Sequence, residues 1–186
     1  SENRERYTDL PYLPLDMPEV LTGLNRGAPV TVSDGVPRFT VREVLEPDRV
    51  FLLQAQDHGI VASSKGITFP GKPYSLPAFT EKDKHDLHAG LEIGVDAFAQ
   101  SFVQSREDLE TLRSELQPYS RYIPLIAKLE RASSLENLES ILSLADGMMV
   151  ARGDLGLECS LPALPVIQKK VIRACRRHQK PAIVAT

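Results

Sequence analysis

Lys128-Leu129-Glu130 and, further on, Ala151-Arg152-Gly153-Asp154-Leu155-Gly156 bring together a lysine, two carboxylates and a glycine-rich turn. Hard divalent cations such as Mg²⁺ take one or two carboxylates and leave their other positions to water and substrate oxygens. A lysine alongside supplies a point charge for a phosphoryl group. Backbone N–H groups at a turn that opens a helix can hold an anion. Metal, phosphate and carboxylate chemistry would thus meet on neighbouring elements, which suits a phosphorylated acid. Taken alone, the same residues also fit a Lys–Glu surface pair and a helix-capping aspartate.

Positioning these groups requires strands that end at them. Side chains alternate along a strand, so Lys128 and Glu130 share a face. From about residue 77 the pattern is of strands near 97–102, 123–129, 147–151 and 181–185. They alternate with helices that start at Thr80 and Ser105 and run over 135–144 and 165–177. Thr80 with Asp83, and Ser105 with Asp108, have the spacing of helix N-terminal capping pairs. Alternating strands and amphipathic helices predict βα units and a parallel sheet. Before about residue 76 the texture differs. Short apolar runs such as Phe39–Val44 and Val50–Leu53 are separated by turn signals at 26–29, 33–37 and 46–48, predicting a small β-rich domain. Gly71-Lys72-Pro73-Tyr74 reads as a linker between the two. The expected division is therefore 1–76 and 77–186.

With 186 residues, 42% hydrophobic and 25% charged, the composition is that of a soluble globular protein. The net charge of −3 comes with no basic stripe, which argues against nucleic acid as a partner. No apolar run approaches the roughly 20 residues that cross a bilayer, and the polar start is no signal peptide, so neither a membrane nor secretion is expected. Cys159 and Cys175 lack metal spacing and read as reduced thiols in the cytoplasm. His85 and His88 lie three apart without a third ligand, so zinc is not expected.

Ile126–Glu130, Ala145–Gly156 and Pro181–Thr186 resemble consecutive motifs of the pyruvate kinase family. Lys65–Gly71, Leu76-Pro77-Ala78, Glu81-Lys82-Asp83 and Ser101-Phe102 follow the same family in the same order upstream. The resemblance covers roughly residues 30 to 186. It implies an α/β chain that is part of a (β/α)₈ TIM barrel: a small β-rich lid domain, then about four parallel strands with helices, the third to sixth of the barrel. A closed barrel needs eight strands and about 250 residues. The expectation is thus a segment of a longer enzyme, inactive alone.

The activity implied is phosphoenolpyruvate plus ADP to pyruvate plus ATP, in glycolysis. Glu130 and Asp154 would ligate Mg²⁺, with Mn²⁺ as an alternative, and Lys128 would neutralise the phosphoryl group in flight. Gly153 and Asp154 would offer backbone N–H groups to the substrate carboxylate, with the Thr186 hydroxyl assisting. Ser101 could line the pocket or bond the local backbone. Arg152 could lie near a subunit contact or in solvent. K⁺ would be needed in the complete enzyme, its ligands lying outside this chain, and the complete enzyme would be a homo-oligomer, a tetramer in the family.

Some positions depart from the family pattern. Asp34 falls where the lid carries an Asp-Asp-Gly turn, but the first acid is Ser33, and a plain turn residue is the alternative. Arg131 stands where Asn usually follows the Lys-x-Glu motif, the Gly expected a few residues later is absent from Ala132-Ser133-Ser134, and Gln104-Ser105 replaces a basic dipeptide. Two other readings remain open at this point. One is a Mg²⁺-dependent lyase or aldolase acting on pyruvate enolate in a similar barrel. The other is a non-catalytic regulatory or binding segment.

Overall fold

The computed structural model describes residues 9–15, 17–33, 35–72 and 79–186. Asp34, the second half of the expected linker and the Leu76-Pro77-Ala78 motif lie outside them. The chain divides into two compact units, Ser1–Leu76 and Pro77–Thr186.

In the first unit, β1 (Pro29–Val32), β2 (Arg38–Glu46), β3 (Val50–Ala55) and β4 (Ile67–Thr68) form one sheet in the order β3-β2-β1-β4. Every pairing is antiparallel. The β2–β3 hairpin closes at Glu46↔Val50, where Asp48 takes a positive φ of 58°. An Asp tolerates that region better than most residues, and the Asp48 carboxylate also accepts the Gly23 N–H at 2.7 Å. Val20, Leu24, Val30, Val41 and Phe69 make the unit's buried core. The hairpin follows from its apolar runs and turn residues. β1 and the two-residue β4 carry too little pattern of their own to be read locally.

The second unit opens with α1 (Glu81–Ile93) and continues β5 (Phe98–Gln100), α2 (Arg106–Leu116), β6 (Leu125–Leu129), α3 (Leu138–Leu144) and β7 (Gly147–Ala151). It ends with α4 (Arg152–Glu158), α5 (Leu164–Arg177) and β8 (Ala182–Ala185). The sheet order is β5-β6-β7-β8 and all three pairings are parallel. This is the mixed α/β architecture, with a parallel sheet of the kind that forms part of a TIM barrel, that the sequence implies. The expected caps are present at α1, where the Asp83 N–H donates to Thr80 Oγ1 at 3.2 Å and the Thr80 N–H to Asp83 at 2.8 Å. At α2 the Ser105 N–H donates to Asp108 at 2.9 Å.

Alternation along β6 sorts its side chains. Leu125, Ala127 and Leu129 are fully buried, whereas Ile126 and Lys128, on the other face, are only half-buried. Leu129 joins Leu109, Ile141, Leu142, Met148, Val150, Leu155, Val171 and Ala174 in a continuous core. Burial at about 25 cal/mol per Å² of apolar surface makes that face the costly one to disturb. The polar face is left for chemistry.

Two elements differ from expectation. The helix expected over 135–144 is broken into a 3₁₀ turn, Ala132–Leu135, and α3, with Asn137 non-helical between them. Side chains tie this segment to the loop after β5 instead: Ser134 Oγ donates to the Val103 carbonyl at 2.6 Å and Asn137 Nδ2 to the Gln104 carbonyl at 2.9 Å. Such bonds compete with helix formation. The strand near 97–102 stops at Gln100, because Phe102 turns to φ 56°.

Candidate functional site

The C-terminal ends of β5 and β6 converge on one cluster. Lys128 lies one residue before the end of β6, and its Nζ donates to Ser101 Oγ at 2.9 Å and sits 2.6 Å from Glu130 Oε1. Glu130 is 4% exposed, and its second oxygen accepts the Phe102 backbone N–H at 2.9 Å. Phe102 itself takes a positive φ of 56°, just past the end of β5. A buried carboxylate is expensive unless paired and hydrogen-bonded. Glu130 is both. Three residues read from the sequence, Ser101, Lys128 and Glu130, are thus in direct contact.

Lys128 keeps reserve capacity. An ammonium has three donors, two of which face Ser101 and Glu130, and the side chain remains 26% exposed.

Asp154 arrives by another route. Leu129 pairs with Val150 in the sheet, β7 ends at Ala151, and α4 begins directly at Arg152. Leu155 is fully buried, which fixes the orientation of this short helix on the sheet. Asp154, in its first turn, is exposed and has no hydrogen-bond or ion-pair partner among the described residues. It does not contact Lys128 or Glu130 directly through any such bond. Gly153 faces the end of β8, where a Cβ on it would lie 3.6 Å from the Thr186 carbonyl oxygen, an ordinary contact. The chain's own packing therefore does not demand glycine there. Arg152 Nε donates to the Ala185 carbonyl at 2.8 Å, so this half-buried arginine ties α4 to β8 rather than standing free in solvent. Arg152, Gly153 and Thr186 line an open depression of about 590 Å³ together with Leu161, Leu164, Pro165, Gln168 and Lys169.

For a divalent cation the donor set is two carboxylates of unequal character, one buried and fixed, one exposed and unpaired. Among the described residues no group of three or more His, Cys, Asp or Glu side chains could hold a metal. Two hard oxygen donors fit Mg²⁺, which keeps several waters and substrate oxygens, better than they fit an ion needing an all-protein cage. His88, one of the histidines set aside for zinc, lies 2.9 Å from the Tyr119 hydroxyl.

Sequence reasoning missed the Phe102 amide and Glu158, and gave Arg131 only as a departure from the family pattern. The Phe102 amide acts through a backbone dihedral that no residue pattern reports. Arg131 and Glu158 form a buried ion pair beside the cluster, both side chains 9% exposed. A hint of it existed in the Asp154–Glu158 spacing, which puts both acids on one helical face.

Residues 2–186 match the family described as pyruvate kinase, barrel domain. Pyruvate kinase 2 of Candida glabrata is 37% identical over 172 residues, which is 92% of this chain and 34% of that protein. The pyruvate kinase of Mycobacterium intracellulare is 42% identical over 160 residues, 86% of this chain and 34% of that protein. Pyruvate kinase 1 of Saccharomyces cerevisiae is 37% identical over 172 residues, with the same 92% and 34% coverage. The chain spans about a third of the length of these relatives. Each of these relatives is named a pyruvate kinase, none a lyase or aldolase. Among the described residues no helix is long and apolar enough to cross a membrane.

Proposed function

We propose, from the premise that this chain belongs to the pyruvate kinase barrel-domain family, that it supplies part of the active site of an enzyme making pyruvate and ATP from phosphoenolpyruvate and ADP. The bond between the phosphorus and the enol oxygen breaks, a bond to a β-phosphate oxygen of ADP forms, and the enolate left behind takes up a proton to become pyruvate. Unit 77–186 contributes central barrel strands, and unit 1–76 is the small β-rich lid domain of the family. The complete enzyme is a cytoplasmic homo-oligomer, a tetramer.

The observation that carries this reading is Lys128 Nζ, held 2.9 Å from Ser101 and 2.6 Å from Glu130 at a strand's C-terminal end. Catalytic groups of such barrels sit at these ends. Ser101 and Glu130 fix the ammonium in place before substrate arrives, so little reorganisation is needed when charge moves onto the transferring group. Glu130 and Asp154 would hold Mg²⁺, or Mn²⁺ in its stead, and the ion would supply positive charge to substrate and phosphoryl oxygens. K⁺ is required as well, through residues outside this chain. The Gly153 and Asp154 backbone N–H groups and the Thr186 hydroxyl receive the substrate carboxylate. A glycine not required by packing at 153 leaves room for that approach.

The test is Lys128→Met in the full-length enzyme. Phosphoryl transfer is mostly positioning and charge stabilisation, so kcat should fall by about 10² to 10⁴ with little change in KM. Pyruvate enolisation, a separate proton transfer, should survive better than ATP formation. An unchanged kcat with a lowered melting temperature would make Lys128 a structural partner of Glu130 and end the catalytic assignment.

A further inference from the structure

Arg131 directly follows Glu130 and is 8% exposed, an unusual place for a guanidinium. Its partner is Glu158, the last residue of α4, and the two form an ion pair. Glu158 uses its second oxygen as well, accepting the Ala132 N–H at 2.9 Å. One carboxylate therefore grips both residues that follow Glu130.

The other end of α4 is also tied. Arg152 holds the Ala185 carbonyl at 2.8 Å, and Leu155 is sunk in the core. The seven-residue helix is thus anchored to β8 at its start, to the core at its middle and to the end of β6 at its close. Asp154 and Glu158 are four residues apart, so they stack on one helical face. Pinning Glu158 against Arg131 turns that face toward the end of β6, where Glu130 stands. Two acids one turn apart also repel. Arg131 offsets the charge of Glu158, so that on this face Asp154 is the acid left without a partner among the described residues.

We infer that the Arg131–Glu158 pair is a positioning clamp that sets the separation of Glu130 and Asp154, and so tunes how tightly these two carboxylates hold a divalent cation. The inference rests on the metal reading above. Arg131 and Glu158 are not themselves ligands, being engaged with each other. They act through the backbone at Glu130–Ala132 and through the orientation of α4.

The experiment measures Mn²⁺ binding by electron paramagnetic resonance on the full-length protein without substrate, beside a melting curve. Arg131→Met should weaken Mn²⁺ binding by about tenfold or more, the range of outer contacts that orient metal ligands. Arg131→Lys, which keeps the charge, should recover part of the loss. Arg131→Met combined with Glu158→Gln should bind Mn²⁺ no worse than the more affected single variant, because both changes remove one interaction. If Arg131→Met does not fold, Glu158→Gln, close in shape, carries the same expectation. Unchanged Mn²⁺ affinity in either folded variant overturns the clamp. Glu130→Gln separates the two levels: if it too leaves Mn²⁺ binding intact, the metal reading has failed, whereas if it alone weakens binding, only the clamp has.

Discussion

The two ends of the parallel sheet solve the same electrostatic problem in opposite ways. At the N-terminal ends of β6 and β7, Asp146 accepts Arg113 at 2.7 Å and the Leu125 N–H at 2.8 Å on one oxygen, and the Tyr122 hydroxyl on the other. Arg113 also donates to the Ile123 carbonyl at 3.0 Å and the Leu144 carbonyl at 3.3 Å, and it lies 5.2 Å from the centre of the Tyr122 ring. Both oxygens of the acid are spoken for by fixed partners, and so is most of the fork of the arginine. At the C-terminal ends, Glu130 is equally fixed, but Lys128 is held by only two partners and Asp154 by none among the described residues. Saturated charge locks strands together. Charge left partly unsatisfied beside a rigid carboxylate is available to a ligand. Similar residue types therefore serve structure at one end and chemistry at the other.

That contrast is sharpest for Glu130→Gln. If the upper cluster exists for chemistry, kcat/KM of the full-length enzyme should fall by about 10³, on the scale of removing one preorganised electrostatic group. The amide can still accept the Phe102 N–H, so the melting temperature should move by only a few degrees, roughly the effect of 1 kcal/mol in a domain of this size. A variant that melts early while its folded fraction turns over normally would erase the distinction between the two ends.

Arg113→Met probes the other end. Deleting the guanidinium leaves Asp146 without its cation and two carbonyls without a donor. Hydrogen bonds to charged groups contribute about 1.5–3 kcal/mol each, less for groups partly open to solvent. With the Arg113 side chain 21% exposed, a net loss of about 2 kcal/mol in urea unfolding is expected. Turnover per folded molecule should stay within about twofold, because no group that meets substrate has changed. A kcat loss as large as that of Glu130→Gln would mean that the lower latch reaches the site.

Legibility in the sequence follows the same divide between local pattern and tertiary contact. β6, β7 and β8 are plain because apolar runs end at turn signals such as Asp146-Gly147 and Arg152-Gly153. Lys128 and Glu130 are plain because a period of two puts them on one face. The break before α3 is hidden, since it depends on where Ser134 and Asn137 find carbonyls belonging to a segment some thirty residues away. The short β5 is hidden for a related reason: the chain turns at Phe102 with a positive φ and no glycine marks the place, while the Phe102 amide finds its acceptor in Glu130, twenty-eight residues away. Arg131 stands out in the sequence as a departure from the family pattern, but its meaning appears only once Glu158 is placed beside it. Asp34 lies outside the described residues.

The smallest effect, and the finest test of the comparison, is in the pH dependence of stability. Burial alone would push the Asp146 carboxyl up, but hydrogen bonds from Tyr122, the Leu125 amide and Arg113 together hold it below the ordinary aspartate value of 3.8. Its hydrogen bond to Asp146, with burial, pushes the Tyr122 hydroxyl above the ordinary 10.0. A lowered acid adds stability that is complete above its unfolded value and is lost as pH falls through the folded one; a raised phenol adds stability that is complete below its unfolded value and is lost as pH rises through the folded one. The latch should therefore contribute across the neutral range and fade at both extremes, below about pH 3.8 and above about pH 10. Other groups add to each limb. Asp57, held down chiefly by the Arg38 amide, and Glu139, held down chiefly by His178, act on the acid side, while burial of Cys159 and Cys175 acts on the alkaline side. These are the same in wild type and variant, so the informative quantity is the difference between two melting profiles. Asp146→Asn should lie below wild type by a constant amount between those limits and converge on it at both ends. A gap that persists unchanged into strong acid would show that the substituted amide fails by shape alone, and that the lower end of the sheet is held by packing rather than by saturated charge.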